Sequence, residues 1–331
     1  MRGTGYAPCH HGEILQGAFR DGAGSVCRGL VTLPMRDLGT RAEFLRLPGT
    51  PWDEIEVLPA DRTKAAAAAR LAVAACARRR PCGGRLRLHS EVPVGLGMGS
   101  STSDIIAAVH AVAASFGTRL APSTVADLAV RAERASDPLM LEHRPLLFAQ
   151  REARVLEVLG DSLPRALVVG CTTGGGLPVD TLTLSVSYGA AEVEAFEGLR
   201  AALRRAIANA DLALLGRVST ESAWHNQRVL AKEEFPVLAE IAAASGAAGV
   251  QVAHSGNVAG LLFDPAAPRL WERVRECVRA LRASGITVTR IFSSGPERAG
   301  GRECTSTSPT RSPSRNWSVP GTAWSACGSR Q

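Results

Sequence analysis

The stretch EVPVGLGMGSSTSDIIAAVHAV, residues 91–112, constrains this chain more than any other. Glycines at 95, 97 and 99 and hydroxyls at 100–103 stand directly before a segment in which Ile105, Ile106, Val109, Val112 and Ala113 repeat at helical spacing. Ahead of it, GRLRLHSEVP sets Leu86, Leu88 and Ser90 against Arg85, Arg87 and His89, the alternation of a half-buried strand. The order is therefore strand, glycine turn, helix. Glycine has no Cβ, so its amide can approach an anion closely and adopt positive φ. The first turn of a helix adds free N–H groups and partial positive charge. Together these make a phosphate cradle, and serine hydroxyls at its mouth can donate to phosphate oxygens or ligate Mg²⁺. A plain serine-capped connection would use the same residues. Neither lysine of the chain, Lys64 or Lys232, follows the turn, which removes the P-loop reading. With so few lysines, arginine is expected to supply nearly every cationic contact.

Residues 5–60 read as short extended segments broken by Gly, Pro and Asp. RTKAAAAARLAVAACARRR is an alanine-rich helix that stops at Pro81. STVADLAVRAERAS is another, with Pro122 and Ser123 at its start. A second block opens on a buried strand at 164–171. It continues with two helices, roughly 190–215 and 217–245, and the strand-turn GVQVAHSGNVAGLLFDP. A helix at 268–284 and the strand GITVTRIFSS complete it. Strands and helices alternate without the regular repeat of a doubly wound sheet, so a mixed α+β protein of two lobes is expected.

A hydrophobic fraction of 45% and a charged fraction of 21% are ordinary for a soluble globular chain. No apolar run reaches the ~18–20 residues of a membrane span, and MRGTGYAPCHHGEILQG lacks a signal-peptide core. A cytoplasmic protein without a membrane partner is expected. The eight cysteines show no paired metal spacing. The net charge of +7 does not point to nucleic acid. Arg302, Arg311, Arg315 and Arg330 against Glu303 place +3 of it beyond residue 300, and the rest forms no basic stripe. From about Gly300 the chain turns rich in Ser, Thr, Arg and Pro. It reads as a low-complexity or non-native tail outside the fold.

PVGLGMGSSTS resembles the central Pro-x-x-x-Gly-Leu-Gly-Ser-Ser motif of the GHMP kinases, the superfamily of galactokinase, homoserine kinase, mevalonate kinase and phosphomevalonate kinase. Met98-Gly99 lengthens the glycine run by comparison. APCHHGEILQG resembles the first motif of that superfamily through Gly12-Glu13, although the usual Asn and Lys/Arg are missing. GAAGVQVAHSGNVAGLLFDP resembles the third. The compact first motif, VDT at 179–181 and SAWHNQ at 222–227 look most like the bacterial L-threonine kinases of cobalamin synthesis.

The resemblance implies an α+β, two-lobed GHMP kinase fold, with an N-terminal lobe like domain 2 of ribosomal protein S5 and a ferredoxin-like C-terminal lobe. Residues 1–160 would form the ATP-binding lobe and 161–300 the second lobe, with 301–331 the tail. It further implies phosphoryl transfer from ATP, with Mg²⁺, to a small hydroxy amino acid. L-threonine is favoured; homoserine, a specialised metabolite or a catalytically inactive ligand-binding role are the alternatives, and a homodimer is compatible with all of them. Pro93, Gly95, Leu96, Gly97, Gly99, Ser100, Ser101 and Thr102 would hold the nucleotide. Ser101 and Glu133 would ligate the metal, and Asp137 would act on the acceptor hydroxyl together with Ser101. Asp137-Pro138 is also a common turn former. Glu13, His11, Asn226, Gln227, His254, Ser255 and Gly256 would contact the acceptor, with Arg28 or Arg144 meeting its carboxylate. Of the adjacent His10 and His11, only one is expected inside. Ser103 is read as a plain first-turn residue.

Overall fold

A computed structural model describes residues 1–76, 81–141, 144–176 and 187–295. The tail beyond 300 and VDT at 179–181 lie outside the described residues. In chain order the elements are β1 (Arg2–Arg20), β2 (Val26–Arg46), β3 (Ile55–Leu58), α1 (Thr63–Cys76), β4 (Gly84–Ser90), α2 (Ser100–Ser115) and α3 (Pro122–Glu133). There follow β5 (Leu146–Ala149), β6 (Arg154–Val158), β7 (Leu167–Thr172), α4 (Ala190–Ala208), α5 (Leu212–Asn226), α6 (Phe235–Ser245), β8 (Gly249–Val252), β9 (Val258–Phe263), α7 (Leu270–Ala283) and β10 (Thr287–Ser293). The strands form one ten-stranded sheet, ordered β10-β7-β9-β8-β1-β2-β4-β3, with β5 and β6 branching from β2. Only β3 and β4 pair in parallel. This is the mixed α+β architecture the alternating pattern implied.

Residues 5–60 are not short segments. Arg2–Arg20 and Val26–Arg46 are two long antiparallel strands. The breaks suggested by Pro, Gly and Asp appear instead as register shifts between Pro8 and Cys9, His10 and Glu13, and Glu13 and Leu15. Such bulges re-aim side chains without ending a strand. Gly12, at φ 65°, takes the left-handed conformation within this irregular stretch. The same stretch is the seam of the sheet: β1 meets β8 through the single pair Glu13 and Val252.

Three helices, not two, occupy 190–245. After Ala208 the chain turns through Ala210 at φ 50°, and the Asp211 side chain accepts the Leu214 amide to start α5. α5 ends at Asn226, and α6 begins beyond Glu234 with Pro236 in its first turn. The intervening residues, 227–234, become functionally relevant below.

α1, α2 and α3 bury Ala69, Val73, Ile105, Ile106, Val109, Val125 and Leu128 against Phe44, Leu86 and Phe148. α4 and α5 pack Phe196, Leu203 and Leu215 on Phe19, Ile14 and Leu33, in a cluster that also takes in Leu96 and Met98. A third cluster lies under α6 and α7. Strand β4 alternates as the sequence requires, with Leu86 and Leu88 buried and Arg87 and His89 exposed. Among the described residues no helix is long and apolar enough to cross a membrane.

Candidate active site

The glycine turn is held by its apolar residues. Leu96 and Met98 are buried in the core, while Gly95, Gly97 and Gly99 alternate with them at φ 78°, 83° and 69°. Met98-Gly99, the departure from the family motif, is thus a second anchor-and-turn unit following Leu96-Gly97. A Cβ on Gly97 would stand 2.5 Å from Ala253 Cβ, and one on Gly99 would stand 2.6 Å from His10 Nε2. Neither position tolerates a side chain. The 253–258 loop docks on this turn: the amides of Asn257 and Val258 both donate to Leu96 O at 2.9 Å. Gly99 caps α2, and no backbone amide from Gly97 to Thr102 donates a hydrogen bond among the described residues. These are the unsatisfied donors of a helix start.

Beneath the turn lies a charged cluster. Ser101 Oγ donates to Glu133 Oε2 at 2.6 Å, and Thr102 Oγ1 reaches Glu133 Oε1 at 2.8 Å and Asp137 Oδ2 at 3.3 Å. Asp137 Oδ2 is in turn 3.1 Å from His10 Nε2. Glu133 and Asp137 do not lie on one helix. α3 ends at Glu133, Arg134 turns left-handed at φ 69°, and Thr102 brings the two carboxylates together across the turn. Ser103 is occupied structurally, donating to Ala7 O and accepting the Thr40 amide.

Burial sets the electrostatics. Glu133 is pushed up to about 7, chiefly by loss of water, with Ser101 and Thr102 hydrogen bonds and Lys64 at 3.7 Å opposing. Burial also works against the charge of Asp137 and of His10, but each finds the other. Their attraction and hydrogen bond hold the Asp137 carboxyl below its usual range and the His10 imidazole above its own. His10 Nδ1 also lies 3.6 Å from Glu13 Oε1, so the ring sits between two acids. His10, Glu13 and Asp137 offer ligand atoms within 4.8 Å of one another. A protonated His10 fills the role a cation would take there. The oxygen set of Ser101 and Glu133 fits a hard divalent ion better.

Glu13 is fully buried at the seam. Its Oε2 accepts the His254 amide at 2.6 Å, and its Oε1 lies 3.2 Å from His254 Nδ1 without a hydrogen-bond partner. The half-buried His254 imidazole loses water but gains the Glu13 carboxylate, and the net shift is upward.

Both adjacent histidines are inside, because both faces of β1 are covered here: His10 lies against Gly99 and Asp137, and His11 against Gln251 and Phe292. It is His10, not His11, that meets Asp137. His11 points the other way, bonded to Gln251 at 2.6 Å and packed on Phe292, and burial depresses it to about 3. Gln227 is likewise locally engaged, donating to Ala223 O and accepting the Lys232 amide. Asn226 donates to Ala253 O at 3.3 Å, supporting the loop that carries His254, Ser255 and Gly256. Gly256 packs against Gly97. Arg144 pairs with Asp161 on the surface and Arg28 lies over the Tyr188 ring. Pro93 and Ser100 are half-buried at the two ends of the turn.

Two residues escaped sequence reasoning. His10 was masked by its neighbour, and Lys232 by a helix expected to run through it. Lys232 is instead in the α5–α6 loop, buried, with its amide on Gln227 Oε1.

Residues 63–139 match the family described as GHMP kinases N terminal domain. The chain is 30% identical over 193 residues to an L-threonine kinase of Citrobacter freundii, covering 54% of this chain and 62% of that protein. It is 33% identical over 133 residues to a 4-diphosphocytidyl-2-C-methyl-D-erythritol kinase of Methylorubrum extorquens, covering 40% and 43%. The match thus spans less than two thirds of either relative. Among solved structures, a homoserine kinase from Cytophaga hutchinsonii superposes with a TM-score of 0.64 at 14% identity, covering 89% of this chain and 94% of that one. A Leishmania major (L. major) mevalonate kinase does so at 0.56 and 15% identity, covering 90% and 97%. Residues 63–139 match the GHMP kinase N-terminal domain, and the described residues share the mixed α+β fold of these homoserine and mevalonate kinase structures.

Proposed function

We propose that this chain is an ATP-dependent kinase that transfers the γ-phosphoryl group to the hydroxyl of a hydroxy amino acid, with L-threonine as the favoured acceptor. The observation that carries the reading is the unbroken chain of contacts from His10 through Asp137, Thr102 and Glu133 to Ser101, lying under undonated amides of the glycine turn. Phosphoryl transfer depends on positioning and charge neutralisation more than on covalent chemistry, and this arrangement offers both.

Residues Pro93 to Thr102 present amides and hydroxyls to the triphosphate, with Leu96 and Met98 fixing the backbone so that little order is lost on binding. Ser101 and Glu133 would hold Mg²⁺. When bound, the ion neutralises charge on the phosphate oxygens. Asp137, kept ionised by His10, accepts the proton of the acceptor hydroxyl and orients its oxygen. His10 is a positioning residue, acting through Asp137. Glu13, a buried carboxylate at the sheet seam, takes the acceptor's ammonium group. The L-threonine kinase relatives support this acceptor class.

The test is incubation of the purified chain with labelled ATP, Mg²⁺ and threonine, serine or homoserine, with products resolved by mass. A phosphorylated hydroxy amino acid is expected. Nucleotide binding without transfer to any acceptor would reduce the chain to a nucleotide-binding member of the fold. Absence of adenine-nucleotide affinity in calorimetry would remove the reading altogether.

A further inference from the structure

Lys232 sits in the α5–α6 loop with its backbone fixed at both ends: its amide donates to Gln227 Oε1 at 2.8 Å, and its carbonyl accepts the Phe235 amide at 3.0 Å. The residue is 5% exposed, yet Nζ has no hydrogen-bond partner. Among the described residues no carboxylate stands within ion-pair distance of it. A buried, unpaired ammonium is costly, and a methionine at this position would fill similar space without that cost. The helix end that leads into the Lys232 loop abuts the Glu13 site: Asn226 donates to Ala253 O at 3.3 Å, and the amide of the next residue, His254, donates to Glu13 Oε2. The buried Glu13 Oε1 faces the His254 and His10 rings at 3.2 and 3.6 Å. A buried cation with no partner among the described residues, on a loop beside a buried carboxylate, forms the complement of a zwitterion. The α-carboxylate of an amino acid would satisfy Lys232 while its α-ammonium satisfies Glu13. Burial lowers Lys232 to about 8, with Glu13 and Glu234 opposing, so the amine remains largely cationic near neutrality.

We propose that Lys232 is the specificity-determining anchor for the acceptor's α-carboxylate, acting opposite Glu13. The role expected of Arg28 or Arg144 thus falls to a lysine. This rests on the hydroxy-amino-acid reading above and names the residue that enforces it.

The experiment compares wild type, K232M and K232R with L-threonine and with L-threoninol, the amino alcohol that lacks the carboxylate. The KM for L-threonine is expected to rise roughly 10- to 100-fold in K232M, the range for a lost charged hydrogen bond. The KM for MgATP should stay put, and wild type and K232M should handle L-threoninol alike. K232R should recover part of the threonine affinity. An unchanged threonine KM in K232M, or equal losses for both acceptors, overturns the assignment. Thermal melts without nucleotide separate this from failure of the kinase reading. L-threonine should raise the wild-type melting temperature while L-threoninol does not, and K232M should lose the response. If wild type transfers no phosphoryl group but shows this pattern, the zwitterion site stands and the kinase reading falls. If no amino acid shifts the wild-type melt, the inference itself is wrong.

Discussion

Ser101, Thr102, Glu133 and Asp137 come from one stretch of the chain, 101–137, whereas Glu13, Lys232 and His254 come from opposite ends of it and meet only at the sheet seam. The first group is hydrogen-bonded throughout, Ser101 to Glu133 and Thr102 to both Glu133 and Asp137. The second leaves Lys232 Nζ without a partner among the described residues and sets Glu13 Oε1 against the His254 and His10 rings. A region that performs the same step for any acceptor can be closed upon itself. A region that must recognise one acceptor keeps open valences for it, because buried polar groups discriminate by being left unpaired when the wrong ligand binds.

That contrast predicts separable phenotypes. The largest effect is expected at Asp137. Asp137→Asn should lower kcat by roughly 10²- to 10⁴-fold, the range for a lost general base, with nucleotide affinity by calorimetry nearly unchanged. Near-normal turnover would detach Asp137 from the chemistry. Ser101→Ala and Glu133→Gln should raise the Mg²⁺ concentration for half-maximal rate by about 10- to 100-fold. A rise in acceptor KM instead would erase the division between the two regions. On the other side of the seam, Glu13→Gln should raise acceptor KM by roughly 10-fold or more and leave the Mg²⁺ requirement alone. Equal damage to both would mean the two regions act as one.

Smaller effects probe the scaffold. Gly97→Ala combines φ 83° with a Cβ 2.5 Å from Ala253, and should cost about 1–3 kcal/mol in a urea melt. Wild-type stability there would show that the 253–258 loop gives way easily. His11 is the subtlest. Its ordinary 6.5 falls to about 3 in the fold, so the unfolded chain takes the proton first. His11 therefore contributes stability above 6.5 that is lost as the pH falls toward about 3. Melts of His11→Gln across that window should show a shallower acid loss than wild type, and parallel curves would refute a buried neutral ring.

Much of the first region was legible beforehand. The strand–turn–helix order and the apolar face of α2 follow from short-range pattern, since period and turn chemistry act over a few residues, whereas Ser101, Glu133 and Asp137 were singled out through the family resemblance. The acceptor side was legible only in part. Glu13 and His254 were found through motif resemblance, but His11 was chosen where His10 is the partner of Asp137. A bulge is a choice between nearly equivalent registers, and one extra residue reverses which side chain faces the site.

The two lysines show where the boundary falls. Composition alone suggested that arginine would provide the cations, yet Lys64 lies 3.7 Å from Glu133 and Lys232 is buried in the α5–α6 loop. The sequence by itself determined the glycine turn ahead of α2 and the alternating elements, because those depend on neighbours along the chain. Only the tertiary structure decided which cation meets which acid and which histidine is buried beside Asp137. Those outcomes depend on how distant segments desolvate one another, a long-range effect that no local spacing encodes.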